Sequence, residues 1–177
     1  MEKRKEVYRI DSNVLVNAVK LVKFIQTEYG INLIASVNIS VETIMRDDFI
    51  DMVTETLLKF NINPHLLELE ITESTIIVDF KKITKKMDYL RALGVKFSED
   101  DFGDAYSSLT YLSRLKIDTL KISKNFLSTI LSNVESKILI KTIIDFRDQF
   151  ANNPRGILKD TLVKKAIVLT SAEYGAI

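Results

Sequence analysis

The chain has 177 residues, enough for one domain with a buried core but short of the about 250 residues of a complete eight-stranded β/α barrel. Its 25 Lys and Arg residues nearly balance 24 Asp and Glu residues, so no bulk charge attracts a nucleic acid polymer or an acidic membrane. The lack of cysteine and the single histidine, His65, exclude disulfides and cysteine-based or His-rich metal sites, which leaves oxygen ligands for any metal. No run of eighteen apolar residues occurs, and we predict a cytoplasmic protein.

The first element in chain order is a helix. Asp11 and Ser12 are predicted to cap its start, apolar residues then recur at helical spacing, and Gly30 is placed to end it. The charged segment 1–6 before the helix is predicted to be a solvated end. Residues 33–39 are mostly apolar and predict a buried strand.

Two helices and a strand follow. Asp47 and Asp48 suit a helix N-terminus, and the apolar periodicity after them runs until Pro64. Residues 66–72 alternate apolar side chains with Glu and Thr, which predicts a second strand. The next amphipathic helix is predicted over residues 80–93.

The remaining elements continue the alternation. A short strand over 95–99 leads into Asp100-Asp101, residues 119–122 predict a fourth strand, and a long helix is predicted over 135–150. Residues 166–170 are a candidate fifth strand. Strands and helices that alternate at about thirty residues per unit are typical of parallel β/α folds.

Polar side chains lie where four predicted strands end: Asn38, Glu70, the pair Asp100-Asp101, and Lys121. In a parallel β/α fold the carboxyl ends of the strands meet at one edge, where functional residues gather. Burying carboxylates there is costly unless each finds a cation or hydrogen-bond partners. The set therefore predicts a divalent-metal site with oxygen ligands.

Simpler interpretations exist for single members of the set. Glu68 or Glu70 alone fits a structural salt bridge, and Asp100-Asp101 alone fits a turn or a helix cap. Adjacent carboxylates repel unless divalent cations lie between them, and two cations about 4 Å apart could clamp the oxygens of a phosphodiester displacement. Lys121 could hold the attacking water or neutralise developing phosphoryl charge.

Four motifs, in this order and at this spacing, resemble those of EAL domains, the cyclic-di-GMP phosphodiesterases. They are Val37-Asn38-Ile39-Ser40, Leu67-Glu68-Leu69-Glu70-Ile71-Thr72-Glu73-Ser74, Asp100-Asp101-Phe102-Gly103 with Tyr106-Ser107-Ser108-Leu109, and Leu120-Lys121-Ile122. The resemblance implies an α/β fold of the modified TIM-barrel type that uses Mg²⁺ or Mn²⁺ to hydrolyse cyclic-di-GMP to the linear dinucleotide.

The resemblance also implies a role for each motif residue. Asp101 would serve a second metal and its water, and Lys121 would orient the nucleophilic water. Glu73 would anchor the loop that follows Asp101. The implied metal ligands are Asn38, Glu70, Asp100 and Asp101.

The chain departs from the family pattern at several positions. The family's first strand, which carries its Glu-Ala-Leu motif, is expected upstream of Ile10, where only nine residues stand. Its late Glu-Gly-Val-Glu strand is expected near residues 154–158, which contain no carboxylate. Ser123 replaces a usual aspartate, and Glu99 occupies a usually apolar position.

These departures predict an incomplete EAL-type barrel over residues 1–150 that lacks the first strand and the late catalytic strand. Residues 151–177 are predicted to be a divergent tail. Open barrel edges would favour a homodimer or a partner protein that covers them. Neither a nucleic acid polymer nor a membrane is expected as a partner.

Three functions are open from the sequence. The first is an EAL-family protein of cyclic-di-GMP signalling whose catalysis is impaired and which acts by binding the dinucleotide or another protein. The second is an active phosphodiesterase, in which Asp160, Glu173 or a second subunit would supply the lost carboxylates. The third is a truncated remnant without function.

Overall fold

The computed structural model describes residues 2–72, 78–102, 117–125, 128, 133, 134, 137, 138, 141 and 166–169. The chain divides into two compact units, Met1–Phe97 and Ser98–Ile177. No helix in the described part of the chain is both long and apolar enough to span a bilayer.

The first unit is built around two parallel strands, β1 (Ala35–Asn38) and β2 (Leu67–Thr72). The pairing begins with Ala35 opposite Leu67, so the two strands start together. This explains why β1 is shorter than the predicted segment 33–39: Leu33 and Ile34 precede the ladder and are exposed.

The first unit also contains the described helices α1 (Glu2–Tyr29), α2 (Val41–Ile44), α3 (Phe49–Phe60) and α4 (Phe80–Leu93). Contacts join α1 to β1, α2 and α3. Removal of apolar side chains from water is the main force that holds such layers together. The buried apolar residues are Leu15, Val19, Val22, Val37, Ile39, Ile44, Phe49, Met52, Val53, Leu57, Ile62, Leu67, Leu69, Ile71, Ile83, Met87, Leu90, Val95 and Phe97.

The start of α1 differs from the prediction. The helix begins at Glu2, so the prediction that Asp11 and Ser12 cap it is wrong. Lys5 and Glu6 are exposed, as predicted for a solvated end. Glu, Lys and Arg are good helix formers, so the charged segment extends the helix at little cost. The predicted end is confirmed, since Gly30 adopts a left-handed φ of +67° after the last turn.

A charged turn between α2 and α3 fixes the N-terminal part of α1. Arg46 donates from Nε and one terminal nitrogen to the two carboxylate oxygens of Asp48, at 2.8 and 2.7 Å, and its guanidinium lies 3.9 Å from the centroid of the Tyr8 ring. Asp47 pairs with Lys82 at 3.1 Å. The hydrogen bonds from Arg46 and Lys82 hold the pKa of Asp48 and of Asp47 below the usual range.

The ends of α3 and α4 follow the predicted signals. Asp48 occupies the N-cap position of α3, while Asn61, with a left-handed φ of 48°, ends that helix before Pro64 begins a short 3₁₀ turn. Gly94 ends α4 at φ +107°, and a Cβ there would come within 2.9 Å of the His65 ring. His65 is exposed and is a packing neighbour of the α4 end.

Lys86 on α4 is buried, which is rare for lysine. Its Nζ donates to the carbonyl oxygen of Ile44 at 2.8 Å and to that of Arg46. These carbonyls lie at the C-terminal end of α2, where helices leave acceptors without an intrahelical donor. Burial lowers the pKa of Lys86.

The second unit contains three parallel strands, β3 (Lys96–Phe102), β4 (Thr119–Ile122) and β5 (Ala166–Leu169). β3 pairs with β4, and β4 pairs with β5, with Thr119 opposite Ala166. The fifth strand is thus confirmed over Ala166–Leu169. The long helix predicted over 135–150 and most of the predicted tail over 151–177 lie outside the described residues.

Replacing Lys86 with Met tests the capping of α2. Leaving two carbonyl groups without their donor should lower the free energy of unfolding by about 1–3 kcal/mol in urea denaturation. Lys85→Met, at an exposed neighbouring position, serves as the control and should change it little.

The free energy of unfolding of the natural protein should increase as the pH rises from the lowered pKa of Lys86 to the ordinary lysine pKa of 10.5. In that window the unfolded chain binds more protons than the folded one. Lys86→Met should remove this pH dependence, and an equal dependence in both proteins would contradict the assignment.

Candidate functional site

Asn38 and Glu70 lie side by side at the carboxyl ends of β1 and β2. They are register partners in the parallel ladder, and Ile39 N–H donates to the Glu70 carbonyl oxygen at 2.9 Å just beyond them. The Glu70 residue is 5% exposed, whereas Asn38 is exposed. The structure therefore brings together a buried carboxylate and an accessible amide, as the sequence predicts.

A second polar pair lies two residues before the first on each strand. Ser36 and Glu68 are register partners, and Ser36 Oγ donates to Glu68 Oε1 at 2.8 Å. Glu68 is 8% exposed, so this hydrogen bond offsets part of the cost of burying its carboxylate. Since side chains alternate along a strand, Ser36, Asn38 and their two partners belong to one face of the pair.

The chain turns sharply after β1, and Ser40 controls that turn. Its Oγ accepts from Thr43 N–H at 3.2 Å and so caps α2. The same hydroxyl donates to Asp11 Oδ2 at 2.6 Å, and Ser40 N–H donates to that oxygen at 3.0 Å. Asp11, expected to be a helix cap, is instead a link from α1 to the end of β1.

In the second unit Asp100 and Asp101 form a bulge in β3. Glu99 pairs with Leu120 and Phe102 with Ile122, so two aspartates on β3 stand opposite the single residue Lys121 on β4. The prediction that β3 ends at Glu99 is wrong, because the strand continues through both aspartates to Phe102.

Both aspartates of the bulge are more exposed than the residues on either side of them. Glu99 and Phe102, on either side, are 3% and 0% exposed, whereas Asp100 is half-buried and Asp101 is exposed. Asp101 has a left-handed φ of 56°, a conformation that Asp tolerates better than most residues. Two adjacent carboxylates are thus held opposite one lysine.

Two departures from the family pattern fall on buried positions of this unit. Glu99 is 3% exposed, and Ser123 is 5% exposed. Ser123 N–H donates to the Phe102 carbonyl oxygen at 3.0 Å and so continues the β3–β4 ladder beyond Ile122. The residue in place of the usual aspartate therefore lies next to the bulge.

The predicted site residues fall into two groups, one in each unit. Asn38 and Glu70 form the first group, and the second consists of Asp100, Asp101 and Lys121. Over the ranges that the structure describes, no group of three or more His, Cys, Asp or Glu side chains is placed to hold a metal ion. Glu73 lies outside the described residues, and its predicted role in anchoring a loop stays a prediction.

Asp11 is the residue at this end of β1 that the sequence prediction misplaced. An aspartate is a poor helix former, yet this one stands in the interior of a long helix. That conflict between local preference and position is the signal that could have identified a tertiary contact.

The two units define a parallel β/α protein with acidic, amide and lysine side chains at the carboxyl ends of its strands. The family model of the EAL domain matches residues 2–151, and the chain belongs to that family. The predicted fold class, an incomplete α/β barrel of the EAL type, is confirmed by this match and by the solved structures that the chain resembles. The predicted boundary at residue 150 stays a prediction.

Two curated relatives share this part of their sequences. The chain is 35% identical over 122 residues to the signaling protein YkoW of Bacillus subtilis, covering 69% of this chain and 15% of that protein. It is 34% identical over 139 residues to the cyclic di-GMP phosphodiesterase PdeA of Borreliella burgdorferi, covering 78% of this chain and 21% of that protein. The chain thus spans about a fifth or less of these relatives' length.

A solved structure of the PaMucR phosphodiesterase in complex with c-di-GMP superposes with a TM-score of 0.72 at 30% sequence identity. The superposition covers 84% of this chain and 60% of that chain. The folded arrangement is therefore shared over most of the present chain.

The left-handed φ of Asp101 can be tested with two variants that both lack its carboxylate. Asp101→Gly should be more stable than Asp101→Ala by about 1 kcal/mol, because only glycine adopts this φ without strain. Urea denaturation of the two variants measures the difference. At an ordinary strand position the glycine variant is the less stable of the two. If Asp101→Gly were less stable than Asp101→Ala, that result would contradict the bulge geometry.

Proposed function

We propose that this chain binds cyclic-di-GMP with the help of a divalent cation, in bacterial cyclic-di-GMP signalling, and that it hydrolyses the dinucleotide poorly. The observation that carries the proposal is the register pairing of Asn38 with Glu70 at the carboxyl ends of β1 and β2. The names of two similar proteins, PdeA and PaMucR, support cyclic-di-GMP as the ligand.

The proposed cation ligands are Asn38, Glu70, Asp100 and Asp101. All of them offer oxygen atoms, which suit hard cations such as Mg²⁺ or Mn²⁺ and do not suit metals that prefer sulfur. Glu70 is 5% exposed, and Asp100 and Asp101 are adjacent in the bulge of β3. The donor atoms within each unit therefore suit such an ion by their chemistry.

Lys121 and Asp101 are proposed to act on the phosphodiester and the attacking water. Lys121 stands opposite the two aspartates in the β3–β4 ladder, where its ammonium group could orient water or neutralise phosphoryl charge. A bound Mg²⁺ or Mn²⁺ would polarise the phosphodiester and make a bound water more acidic. Asp101 would accept a proton from that water.

Impaired hydrolysis is proposed from two sequence positions. Residues 154–158 contain no carboxylate where the family pattern has its late glutamate strand, and Ser123 replaces an aspartate next to the bulge. A hydroxyl carries no charge to balance a dication or to accept a proton at neutral pH. Binding should therefore suffer less than the rate of hydrolysis.

An active phosphodiesterase is the second candidate function. The bulge that sets two carboxylates opposite Lys121 favours it, because those are the groups that an in-line displacement requires. Both candidate functions involve binding of cyclic-di-GMP, and they differ in how fast the chain hydrolyses it.

Hydrolysis and binding are measured separately. We expect little or no conversion of cyclic-di-GMP with Mn²⁺ or Mg²⁺, and calorimetric binding of the dinucleotide in the presence of Ca²⁺. Asp100→Ala should weaken that binding at least about tenfold, because it removes a proposed cation ligand. Glu55→Ala, which removes an exposed carboxylate on α3, should leave binding unchanged.

Turnover by the natural chain that Asp100→Ala abolishes would establish the active enzyme instead. Absence of both turnover and dinucleotide binding would refute cyclic-di-GMP as the ligand. Equal binding by the natural chain and Asp100→Ala would refute the proposed cation ligand.

For the protein contact we propose a homodimer that uses the outer face of α1. Exposed apolar residues at spacings of four, seven and three along this helix lie on one face, and their exposed fractions range from 46% to 60%. Isolated exposed apolar side chains are common, but several of them on one helical face favour an interface. The residues are Ile10, Val14, Leu21 and Phe24.

Leu21→Glu should shift the chain toward monomer in sedimentation velocity, because it places a charge in the middle of the stripe. Lys20→Glu, at an exposed position beside it, is the control for added negative charge. A natural chain that sediments as a monomer at every concentration would contradict the homodimer.

A further inference from the structure

We propose that Asp11 is a positioning residue, which acts through Ser40 to hold Asn38 in place at the carboxyl end of β1. The inference rests on the proposed function of Asn38 as a cation ligand. It concerns only the first unit, where every contact that carries it is described.

Asp11 accepts two hydrogen bonds from Ser40, the N-cap residue of α2. Its Oδ2 accepts from Ser40 N–H at 3.0 Å and from Ser40 Oγ at 2.6 Å. Both bonds have an ionised acceptor, which makes them stronger than bonds between neutral groups. The contact joins positions 29 residues apart in the chain.

The two peptide groups that follow Asn38 are thereby fixed in succession. Ile39 N–H donates to the Glu70 carbonyl oxygen at 2.9 Å, and Ser40 N–H donates to Asp11. Ile39 itself is 3% exposed, so its side chain is also held. Rotation of the backbone after Asn38 would break one of these bonds, and the direction of the Asn38 side chain depends on that backbone.

Ser40 carries the constraint further along the chain. Its hydroxyl donates to Asp11 and accepts from Thr43 N–H, so one oxygen links α1, the end of β1 and the first turn of α2. A serine hydroxyl can donate once and accept twice, and this site uses both functions. Ser40 Oγ also lies 3.0 Å from Thr43 Oγ1. Loss of Asp11 would leave the hydroxyl bonded only within the first turn of α2, without its link to α1.

The position of Asp11 in α1 supports a tertiary role. Aspartate is among the weaker helix formers, and in a helix that starts at Glu2 it is too far from the N-terminus to gain from the helix dipole. The described contacts of its carboxylate are those with Ser40. Groups that orient a metal ligand from behind commonly change metal affinity when they are removed.

The test measures Mn²⁺ binding to the full chain by calorimetry. Asp11→Ala and Ser40→Ala should each raise the dissociation constant for Mn²⁺ about tenfold. Asp11→Asn keeps an acceptor oxygen and should recover part of that loss. Gln26→Ala is the matched control. Gln26 lies on the same helix, and its Nε2 donates to Asn32 Oδ1 at 2.8 Å, before the start of β1 and away from Asn38 in the sequence.

A double-mutant comparison separates positioning from a general loss of stability. Asn38→Ala combined with Asp11→Ala should bind Mn²⁺ no more weakly than Asn38→Ala alone, because Asp11 then has no ligand left to position. In the metal-free protein, the NMR signals of the Asn38 side-chain amide should shift in Asp11→Ala and stay in place in Gln26→Ala.

The outcomes distinguish this inference from the proposed function. The positioning role is overturned if Asn38→Ala weakens Mn²⁺ binding while Asp11→Ala and Ser40→Ala do not. It is also overturned if the separate losses of affinity in Asn38→Ala and Asp11→Ala multiply in the double variant. If Asn38→Ala has no effect, or the natural chain binds no Mn²⁺, the proposed cation site fails and the inference fails with it. Should Asp11→Ala not fold, Asp11→Asn and Ser40→Ala decide the matter.

Discussion

The parallel register between β1 and β2 is the constraint on which the first unit depends. Because side chains alternate along a strand, one choice of register sets apolar Val37 and Leu69 toward the core and Asn38 beside Glu70 on the opposite face. A slip of one residue would place carboxylates against apolar neighbours. The register that packs the apolar side chains in the core therefore also determines which polar side chains are adjacent at the carboxyl ends of the strands.

Two buried polar groups of the first unit have hydrogen-bond partners that lie far away in the sequence. Glu68 receives a hydrogen bond from Ser36, and Lys86 donates to carbonyl groups at the end of α2. Each partner lies on a different element from the group it serves, so these bonds also specify how elements fit together. In the second unit, Asp100 and Asp101 stand opposite Lys121, so acidic and basic residues of different strands are also placed together there.

Much of the fold could be predicted, because hydrophobic periodicity and glycine signals are local properties of the sequence. The strands near Leu67 and Thr119 and the helix that ends at Gly94 lie close to their predicted bounds. The errors share a cause. The helical path of residues 2–10 depends partly on the contact of Tyr8 with Arg46, and the role of Asp11 depends on Ser40. The pattern of residues predicts neither contact, because both join distant positions. The individual roles of the candidate site residues remain predictions.

The bulge at Asp100 and Asp101 has a consequence for how this stretch of chain can vary in length. Glu99 and Phe102 keep their partners Leu120 and Ile122 although β3 carries one residue more than β4 between them. Shortening β3 by one aspartate would leave a regular ladder with Phe102 still on its buried side, whereas a deletion elsewhere in the strand would turn the following side chains over. The register of the β3–β4 ladder therefore requires only one residue between Glu99 and Phe102, and the chain has two.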